Sequence, residues 1–487
     1  MKILFVTSEL AGLVKVGGLA DVSAALPRAL EQVTGDEVRV LLPGYPGVLA
    51  GLREAAPVAD LPGLAEIPPA RLLGARGPDG HDLLVIDCPG LYDRPGTPYT
   101  DLAGRDWADN DIRFARLALA AAQLAHGLPG LDWQPDVMHV HDWPAALAPG
   151  YVAWNDGRQP VPTVTTIHNL AHQGLFPAGR LGALGVPEAG FAMEGAEFHG
   201  QLGFLKAGLW YASEVTTVSP SYADEITTPE LGCGLHGLLG GLRDTGRLTG
   251  IVNGADDSWH PRDDPYLVRR FDLATRDEKQ RNARAVRQRL GLAQRPAPLF
   301  SLIARMVWQK GVDLVIDACE TLVRAGGQLV VMGTGDAALE RRMHTLSHRH
   351  PGSVAVRIGY DEPVAHNLFA ASDFFLMPSR FEPCGLTQMY AQRFGALPIA
   401  HRTGGLRDTI DDGVTGFLFP DSSVRSLLGA VRRALLTFNH RPGMGRMQRE
   451  AMQREFGWDA PAREYHRVYA RVHSRALAAG RTSACHE

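Results

Sequence analysis

The sequence predicts an α/β protein built from two doubly wound domains in tandem. A chain of 487 residues is longer than one hydrophobic core usually supports. Short apolar runs alternate with helical patterns, which is typical of parallel sheets covered on both faces. This alternation stops in the Gly-, Asn-, Asp- and Pro-rich segment 248–267 and then restarts, as at a domain linker. Because ligands bind at the carboxyl ends of such strands, we expect a site in a cleft between the domains.

The first half contains six predicted strands joined by turns and helices. The strands cover residues 3–7, 38–42, 83–87, 137–141, 163–167 and 215–218. Amphipathic patterns predict helices at 112–126 and 203–211.

The second half repeats the same arrangement. Predicted strands cover residues 299–304, 329–332, 354–358, 374–377 and 397–401. Predicted helices cover residues 311–324, 337–348 and 386–394.

The composition restricts the class of protein. A formal net charge of -4 gives no general attraction to nucleic acid or to an anionic membrane. The first apolar run is broken at Thr7, too early for a signal peptide or a membrane span. The five cysteines are scattered without a CxxC pair, so we expect a reducing, cytoplasmic environment. They are Cys88, Cys233, Cys319, Cys384 and Cys485.

Basic residues follow predicted strands in both halves. Only five residues of the chain are lysines, and one of them, Lys15, precedes Gly17 and Gly18 where the first strand gives way to a helix. In "ARMVWQKG", Arg305 and Lys310 occupy the corresponding turn of the second half. Two cations beside a helix N-terminus suit a diphosphate, although basic residues in such turns are common.

The stretch "PSRFEPCGLTQMYAQRFG" places Glu382 in a turn before a predicted helix. Gly385 permits a close backbone approach, and the amides of Leu386, Thr387 and Gln388 would form an anion site at the helix N-terminus. The alternative is that Glu382 is an ordinary first-turn helix residue.

Two patterns mimic metal sites. "HVHD" places His139 and His141 on one face of a strand with Asp142 beyond it, but no further ligand cluster completes a site, and a polar strand end is favoured. "DND", residues 109–111, precedes a helical run, so we expect its aspartates to cap that helix.

Nine motifs resemble, in order, the signatures of bacterial glycogen synthases and the similar starch synthases. They are "KVGGLADV", "HVHDW", "TIHNLAHQG", "FLKAGLWYA", "VNGAD", "ARMVWQKG", "IGYDE", "PSRFEPCGLTQMYAQRFG" and "RTGGLRDT". The resemblance implies a glycosyltransferase B (GT-B) fold, in which two Rossmann-like domains face a deep interdomain cleft. It places the N-terminal domain at residues 1–253, the C-terminal domain at 254–457, and a returning C-terminal helix at 458–487.

The resemblance also implies an activity, namely the retaining transfer of glucose from ADP-glucose to the non-reducing end of an α-1,4-glucan such as glycogen. It implies no metal and no cofactor. Its catalytic residues would be Glu382, beside the transferred glucose, with His168, Arg305 and Lys310. Its substrate-binding residues would be Lys15, Gly17, Gly18, Asp142, Asn169, Asn253, Tyr360, Cys384, Gly385, Leu386 and Thr387.

Other functions remain open from the residues themselves. A UDP-glucose-dependent transferase or a phosphorylase would share the fold, and a glucan-binding or regulatory protein could keep it without turnover. The charged set formed by Lys15, Arg305, Lys310 and Glu382 argues against the last of these.

Overall fold

The computed structural model describes residues 1–155 and 161–484 and forms two compact units. The first unit takes the described residues of 1–218 and 223–254 together with those from 458 onward. The second unit takes residues 219–222 and 255–457. Among the residues described, no helix is both long and apolar enough to cross a bilayer. Cys485 lies outside the described residues.

The first unit is organised around a nine-stranded sheet. Its described strands are β1 (Lys2–Val6), β2 (Glu37–Pro43), β3 (Arg53–Leu61), β4 (Ala70–Arg76), β5 (Asp82–Asp87), β6 (Val137–His141), β7 (Thr163–Ile167), β8 (Leu175–Pro177), β9 (Glu197–Phe198), β10 (Gln201–Gly203), β11 (Glu214–Thr217) and β12 (Leu248–Gly250). The large sheet has the order β12-β11-β7-β6-β1-β2-β5-β4-β3, and β8, β10 and β9 form a small antiparallel sheet. All pairs of the large sheet are parallel except those made by β4.

Helices cover this sheet. They are α1 (Gly18–Thr34), α2 (Pro46–Gly51), α3 (Pro89–Tyr92), α4 (Asn110–His126), α5 (Asp142–Ala145), α6 (Ala148–Ala153), α7 (Phe204–Tyr211) and α9 (His236–Asp244). Helix α8 (Pro220–Glu225) begins among residues of the second unit and ends in the first. In α1 the buried residues Leu19, Val22, Leu26 and Leu30 recur every three or four positions and form one apolar face. Helix α1 ends at Gly35, whose φ of 72° is the left-handed conformation typical of a helix C-terminus.

The expected capping role of "DND" is wrong. Asp109 occupies the N-cap position of α4, but its side chain makes no capping hydrogen bond. Both of its carboxylate oxygens instead accept from Arg94, each at 2.7 Å. Asp111 accepts from Arg180 at 2.5 Å. Both aspartates therefore anchor neighbouring segments through arginines, a pairing that a local sequence pattern does not reveal.

The second unit is a six-stranded parallel sheet. Its strands are β13 (Leu299–Ile303), β14 (Gln328–Gly333), β15 (Val354–Ile358), β16 (Phe374–Met377), β17 (Leu397–His401) and β18 (Phe417–Phe419). The order β15-β14-β13-β16-β17-β18 reverses direction between β13 and β16. This reversal is the topological switch point of a doubly wound fold, where ligands characteristically bind.

The helices of the second unit cover both faces of its sheet. They are α10 (Lys279–Arg289), α11 (Val312–Arg324), α12 (Ala337–Arg349), α13 (Glu362–Ala371), α14 (Thr387–Arg393), α15 (Gly404–Thr409), α16 (Val424–Asn439) and α17 (Arg441–Met452). Leu299 and Phe300, successive residues of β13, belong to different apolar clusters. Side chains alternate across a strand, so these clusters are the two faces of the sheet and the predicted doubly wound arrangement is confirmed.

The last helix of the described chain, α18 (Asp459–Ala484), belongs to the first unit. It packs against α1 and contributes Tyr465 and Tyr469 to the main core. The hydroxyl of Tyr469 lies 2.8 Å from Nδ1 of His139 in β6, and Arg471 forms an ion pair with the buried Glu214 of β11. The first unit is thus completed by distant residues of the chain.

Candidate active site

Glu382 lies in the turn between β16 and α14, at the switch point of the second sheet. Its side chain is buried, and Oε2 accepts hydrogen bonds from Nζ of Lys310 at 2.6 Å and from Oγ of Ser379 at 2.9 Å. Within the described ranges, Oε1 accepts no hydrogen bond. One carboxylate oxygen is therefore fixed by the protein while the other remains available to a ligand.

Lys310 closes a short 3₁₀ turn, Trp308–Lys310, that follows β13. The next residue, Gly311, has a φ of +63°, and a Cβ there would lie 2.0 Å from the carbonyl oxygen of Pro378. Only glycine allows this close approach, which brings the lysine turn against the segment that leads to Glu382.

Arg305, also after β13, is exposed, and it makes no ion pair or hydrogen bond through its guanidinium in the described part of the chain. The structure thus brings Lys310 directly to Glu382 and leaves Arg305 able to meet a ligand. The binding of a diphosphate by these two cations stays a prediction.

Arg380 links the turn that carries Glu382 to the turn that carries Lys310. Its guanidinium donates two hydrogen bonds to the carboxylate of Asp313 in α11, at 2.8 and 2.6 Å, and lies 4.5 Å above the ring of Trp308. Its N–H also donates to the carbonyl of Trp308 at 2.6 Å. The bound guanidinium lowers the pKa of Asp313, as expected for a bidentate ion pair.

The turn from Pro383 to Leu386 is held by hydrogen bonds to its carbonyl groups. The side-chain amide of Gln388 donates to the carbonyls of Cys384 at 3.1 Å and Gly385 at 3.0 Å. The hydroxyl of Ser219 donates to the carbonyl of Pro383 at 2.6 Å. Cys384 is buried and forms no disulfide.

These contacts shape the backbone before α14. Gly385 has a φ of 74°, and Leu386 is the N-cap of the helix that begins at Thr387. The amides of Leu386, Thr387 and Gln388 therefore occupy the helix N-terminus, where no intrahelical carbonyl can accept from them. Glu382 precedes the helix by several residues, so the alternative of a first-turn helical residue is wrong.

The motif "RTGGLRDT" packs against the backbone of the same turn. A Cβ on Gly404 would lie 2.0 Å from the carbonyl oxygen of Glu382, and a Cβ on Gly405 would lie 2.2 Å from that of Cys384. The amide of Gly405 donates to the carbonyl of Glu382 at 3.1 Å. Paired glycines thus let α15 pack directly on the backbone that carries the catalytic candidate.

Two tyrosines of the second unit lie in contrasting environments. Tyr360 follows β15, and 63% of its surface is exposed. Tyr390, in α14, is buried with its ring stacked 4.7 Å from that of Trp259. The exposed ring can meet a ligand, whereas the buried one is part of the core.

In the first unit, the loop after β1 is organised by Glu9. Its Oε2 accepts from the amides of Val16 at 2.6 Å and Gly17 at 2.9 Å, and its Oε1 accepts from the hydroxyl of Tyr99 at 2.7 Å. Glu9 itself is buried. A carboxylate of the protein thus holds the backbone amides of the lysine-glycine loop.

Lys15 is exposed, and its Nζ lies 2.7 Å from a carboxylate oxygen of Asp21. Nothing lies within 4 Å of a Cβ built on Gly17 or Gly18, and neither residue has a positive φ. No protein contact in the described part of the chain therefore requires glycine at these positions. The room beside them is open to a ligand.

Asp142, His168 and Asn169 meet where β6 and β7 end. Oδ1 of Asp142 accepts from the amide of His168 at 2.7 Å and from that of Asn169 at 3.4 Å. Asp142 has a φ of 53°, a left-handed conformation that is uncommon for a residue with a side chain. Burial raises the pKa of Asp142 to about 7, although the two amides act in the opposite direction.

His168 is joined to His141 of β6 by a hydrogen bond of 2.9 Å between Nε2 and Nδ1. Burial lowers the pKa of His168 to about 3 and that of His141 well below its usual range, so both rings are neutral near pH 7. A neutral imidazole has one donor and one acceptor, and Nδ1 of His168 remains for a ligand.

The remaining histidine of "HVHD" has structural partners. His139 bonds Tyr469 through Nδ1 and Thr166 through Nε2, at 2.8 and 2.6 Å. Among the residues that the structure describes, no group of three His, Cys, Asp or Glu side chains could hold a metal ion. Asn253, shortly after β12, is buried, and its Oδ1 has no hydrogen-bond partner within 1–155 and 161–484.

Sequence reasoning missed four residues that shape these sites, namely Glu9, Ser379, Arg380 and Asp313. Ser379 and Arg380 lie inside the motif that was singled out, so their positions beside Glu382 were a usable signal. Glu9 was a charged residue at the end of an apolar strand. Asp313 had no local signal, because its partner lies 67 positions away.

Family models match both halves of the chain. The starch synthase catalytic domain matches residues 2–241, and glycosyl transferases group 1 match residues 286–450. The catalytic domain of starch synthase IV from Arabidopsis thaliana, solved bound to ADP and acarbose, superposes with a TM-score of 0.86 at 29% identity. That match covers 97% of this chain and 99% of the other.

Curated relatives agree over nearly the whole length. Glycogen synthase from Pseudomonas aeruginosa is 50% identical over 97% of this chain and 91% of its own. Glycogen synthase 1 from Bradyrhizobium diazoefficiens is 50% identical over 94% of this chain and 98% of its own. The expected GT-B fold is confirmed, and the chain belongs to the glycogen synthase family.

Proposed function

We propose that this protein elongates glycogen by transferring glucose from ADP-glucose to the non-reducing end of an α-1,4-glucan, with retention of configuration. One observation carries the proposal. In a chain 50% identical to glycogen synthases, Glu382 and Lys310 form a largely buried pair at the switch point of the second sheet.

The leaving group is the first requirement of the reaction. Cleavage of the bond between glucose and phosphate develops negative charge on the departing diphosphate. Arg305, Lys310 and the amides at the start of α14 supply positive charge aimed at that group, which is how electrostatic stabilisation lowers a barrier. Lys15 of the first unit is proposed to bind the same donor, with Gly17 and Gly18 leaving room for it.

Glu382 is proposed to orient the transferred glucose. Its Oε2 is fixed by Lys310 and Ser379, and its Oε1 can accept a hydrogen bond from a glucose hydroxyl. Nδ1 of the neutral His168 can make a further polar contact, with Asp142 and Asn169 beside it. We favour a front-face substitution, in which the acceptor hydroxyl attacks the anomeric carbon and the leaving phosphate takes its proton.

The adenine preference is a separate part of the proposal. The exposed ring of Tyr360 offers a stacking surface for a nucleobase, and a ring of this kind also accepts other bases. ADP is the nucleotide bound in the solved starch synthase structure, which supports an adenosine donor here.

A transfer assay tests the proposal. Purified protein is offered glycogen with ADP-[¹⁴C]glucose or UDP-[¹⁴C]glucose, and glycogen alone is offered with inorganic phosphate. We expect incorporation from ADP-glucose that exceeds incorporation from UDP-glucose, and no release of glucose 1-phosphate. A preference for UDP-glucose would overturn the donor assignment, and release of glucose 1-phosphate would indicate a phosphorylase. Folded protein that binds glycogen but uses no donor would indicate a binding module.

A further inference from the structure

A cavity lies at the amino-terminal edge of the sheet in the second unit. It has a volume of about 640 Å³. Two of its lining residues, Ala297 and Asp373, shortly precede β13 and β16. Arg305 and Glu382 follow these same strands, so the cavity lies at the opposite ends of the strands and is separate from the candidate active site. Its volume is that of a typical small-molecule pocket, about 300–1,000 Å³.

The walls of this cavity are strongly basic. Six cationic side chains and two carboxylates contribute to its lining. The cations are Arg276, Lys279, Arg284, Arg287, Arg295 and Arg441, and the carboxylates are Asp277 and Asp373. This excess of positive charge contrasts with the net negative charge of the whole chain.

The cations are held chiefly by neutral oxygen atoms. Nζ of Lys279 donates to the carbonyls of Phe369, Ala370 and Phe394 at 2.9 to 3.0 Å. The guanidinium groups of Arg276, Arg287 and Arg295 donate to the carbonyls of Gly445, Ala297 and Gly326, respectively. A carbonyl satisfies a donor but carries no net charge, so the arginines keep most of their positive charge, although Arg276 lies 3.9 Å from Asp277. Burial lowers the pKa of Lys279 to about 7, so this lysine adds only part of a charge near neutral pH.

Two helices begin at the same cavity. Lys279 is the first residue of α10, and Arg441 is the first residue of α17. Neither helix has a side-chain hydrogen bond at its N-cap. Helix α10 continues a 3₁₀ turn, Arg276–Glu278, whose carbonyls accept from the amide of Lys279. The partial positive charge at the N-terminus of α17 therefore adds more to the potential of the basic walls.

Asp373 opposes this charge only in part. Its Oδ2 accepts from the amide of Leu299 at 2.9 Å, and burial raises its pKa while Lys279, Arg287 and Arg441 lower it.

Arg284 and Arg441 are exposed, and their guanidinium groups donate no hydrogen bond to other residues in the described ranges. Arg441 lies 4.5 Å above the ring of Phe438, which leaves its in-plane N–H groups available.

We propose that this cavity binds a small phosphorylated molecule through Arg284, Arg441 and the start of α17. The planar fork of a guanidinium matches two oxygens of a phosphate, and a half-open cavity of about 640 Å³ has room for a small molecule. The shared chemistry is a phosphate group, carried by a sugar or present as the free ion.

Binding is measured by isothermal titration calorimetry on the full chain, in the presence of saturating ADP that occupies the donor site. The probes are glucose 6-phosphate, inorganic phosphate and neutral glucose, at constant ionic strength. We expect saturable binding of at least one phosphate probe and none of glucose. Tighter binding of glucose 6-phosphate than of inorganic phosphate would identify a sugar phosphate site, and equal binding would identify a site for the free ion.

The variant Arg284→Gln/Arg441→Gln removes two exposed charges from the cavity, and we expect it to weaken phosphate binding by at least about tenfold. Its matched control is Arg289→Gln/Arg446→Gln, which removes two exposed charges from the same helices outside the cavity lining. The control should bind as the parent does, and both variants should keep the basal transfer rate. Equal weakening in both variants, or no binding of either phosphate probe by the parent at about 10 mM, would overturn the proposal.

Discussion

The ammonium group of Lys310 and the carboxylate of Glu382 lie 2.6 Å apart, although 72 positions separate them in the chain. The side chain of Lys310 is 20% exposed and that of Glu382 is 8% exposed, so the pair is largely removed from water. Removal of one partner leaves the other as an unpaired buried charge, which destabilises the folded state more than removal of both partners does.

Single and double substitutions in this pair should have different effects on stability and on catalysis. We expect Glu382→Ala to lower kcat by about 10²–10³, comparable to the loss of one transition-state donor. Lys310→Ala should also lower the free energy of unfolding by about 3–5 kcal/mol, because Glu382 then lacks its counter-charge. The double variant Lys310→Ala/Glu382→Gln should recover most of that stability and none of the activity.

Urea denaturation and transfer kinetics measure the two effects. Glu320→Ala, at an exposed position of α11, is the control and should change neither by much. Near-normal turnover of Glu382→Ala would remove this carboxylate from the mechanism.

Lys15 should act on the donor without contributing to stability. Its ion pair with Asp21 is exposed, and such pairs contribute at most about 1 kcal/mol. We expect Lys15→Ala to raise the KM for ADP-glucose and slow transfer by at least about tenfold, as for loss of a charge-assisted contact, while glycogen affinity is unchanged. Initial-rate kinetics at several donor concentrations measure this, with Lys2→Ala as the exposed control. An unchanged response to ADP-glucose would leave the loop with a structural role only.

Glu9 is expected to position the lysine-glycine loop. Glu9→Gln keeps the size of the side chain but removes the charge that holds the amides of Val16 and Gly17. Hydrogen exchange at these amides should accelerate, and the KM for the donor should rise more than kcat falls. Tyr99→Phe removes the hydrogen bond to Oε1 and the contact of the same hydroxyl with Ser8, but it leaves both amide bonds to Oε2, so its effect should be smaller. Unaltered exchange at Val16 and Gly17 in Glu9→Gln would contradict this role.

Arg380 should position Glu382 through the two turns it joins. Arg380→Lys keeps the charge but cannot form the bidentate pair with Asp313 or stack on Trp308 in the same way. We expect kcat to fall by about tenfold, the scale of one lost charge-assisted interaction, with little change in the KM for glycogen. Arg324→Lys, at an exposed i,i+4 pair, is the matched control. Equal kinetics for both variants would show that the clamp does not affect the reaction.

Asp142 should make stability depend on pH. Its pKa is near 7 in the folded protein, above the usual unfolded value of 3.8, so the folded state holds this proton between about pH 4 and pH 7 while the unfolded state does not. Stability from this group therefore falls as the pH rises through that window.

His168 acts in the opposite direction, because its folded pKa of about 3 lies below the unfolded value of 6.5 and its contribution rises with pH up to about 6.5. The two effects are separated by comparing the parent with Asp142→Asn in urea denaturation at pH 4.5 and pH 7.5. The stability of the parent relative to the variant should be lower at pH 7.5. A difference independent of pH would contradict the raised pKa.

The regular elements were largely predictable because their signals are local. The predicted strands at 137–141, 163–167, 354–358, 374–377 and 397–401 have the observed bounds. The antiparallel hairpin formed by β3 and β4 was missed, since β3 is mostly exposed, contains Pro57 and lacks an apolar run. It gains its structure from pairing at the sheet edge, which a pattern within one strand does not show.

The site was predictable only where its residues share a motif. Glu382, Gly385, Leu386 and Thr387 were found together because one turn carries them. Two other contacts form only when separate segments meet after folding. They are the hydrogen bonds of Glu9 to the loop after β1 and of Ser219 to the carbonyl of Pro383. Asp109 is the opposite case: its local sequence pattern predicts a helix cap, but its carboxylate binds Arg94 instead.

The contact between His139 and Tyr469 joins residues that are 330 positions apart. During synthesis, the sheet of the first unit therefore emerges from the ribosome long before the helix that covers it. Until α18 is made, the apolar surface that later receives Tyr465 and Tyr469 has no cover and can bind a chaperone or another nascent chain. The second unit does not depend on a late segment in this way. It is formed by residues 219–222 and the continuous stretch 255–457, so it can fold while synthesis continues.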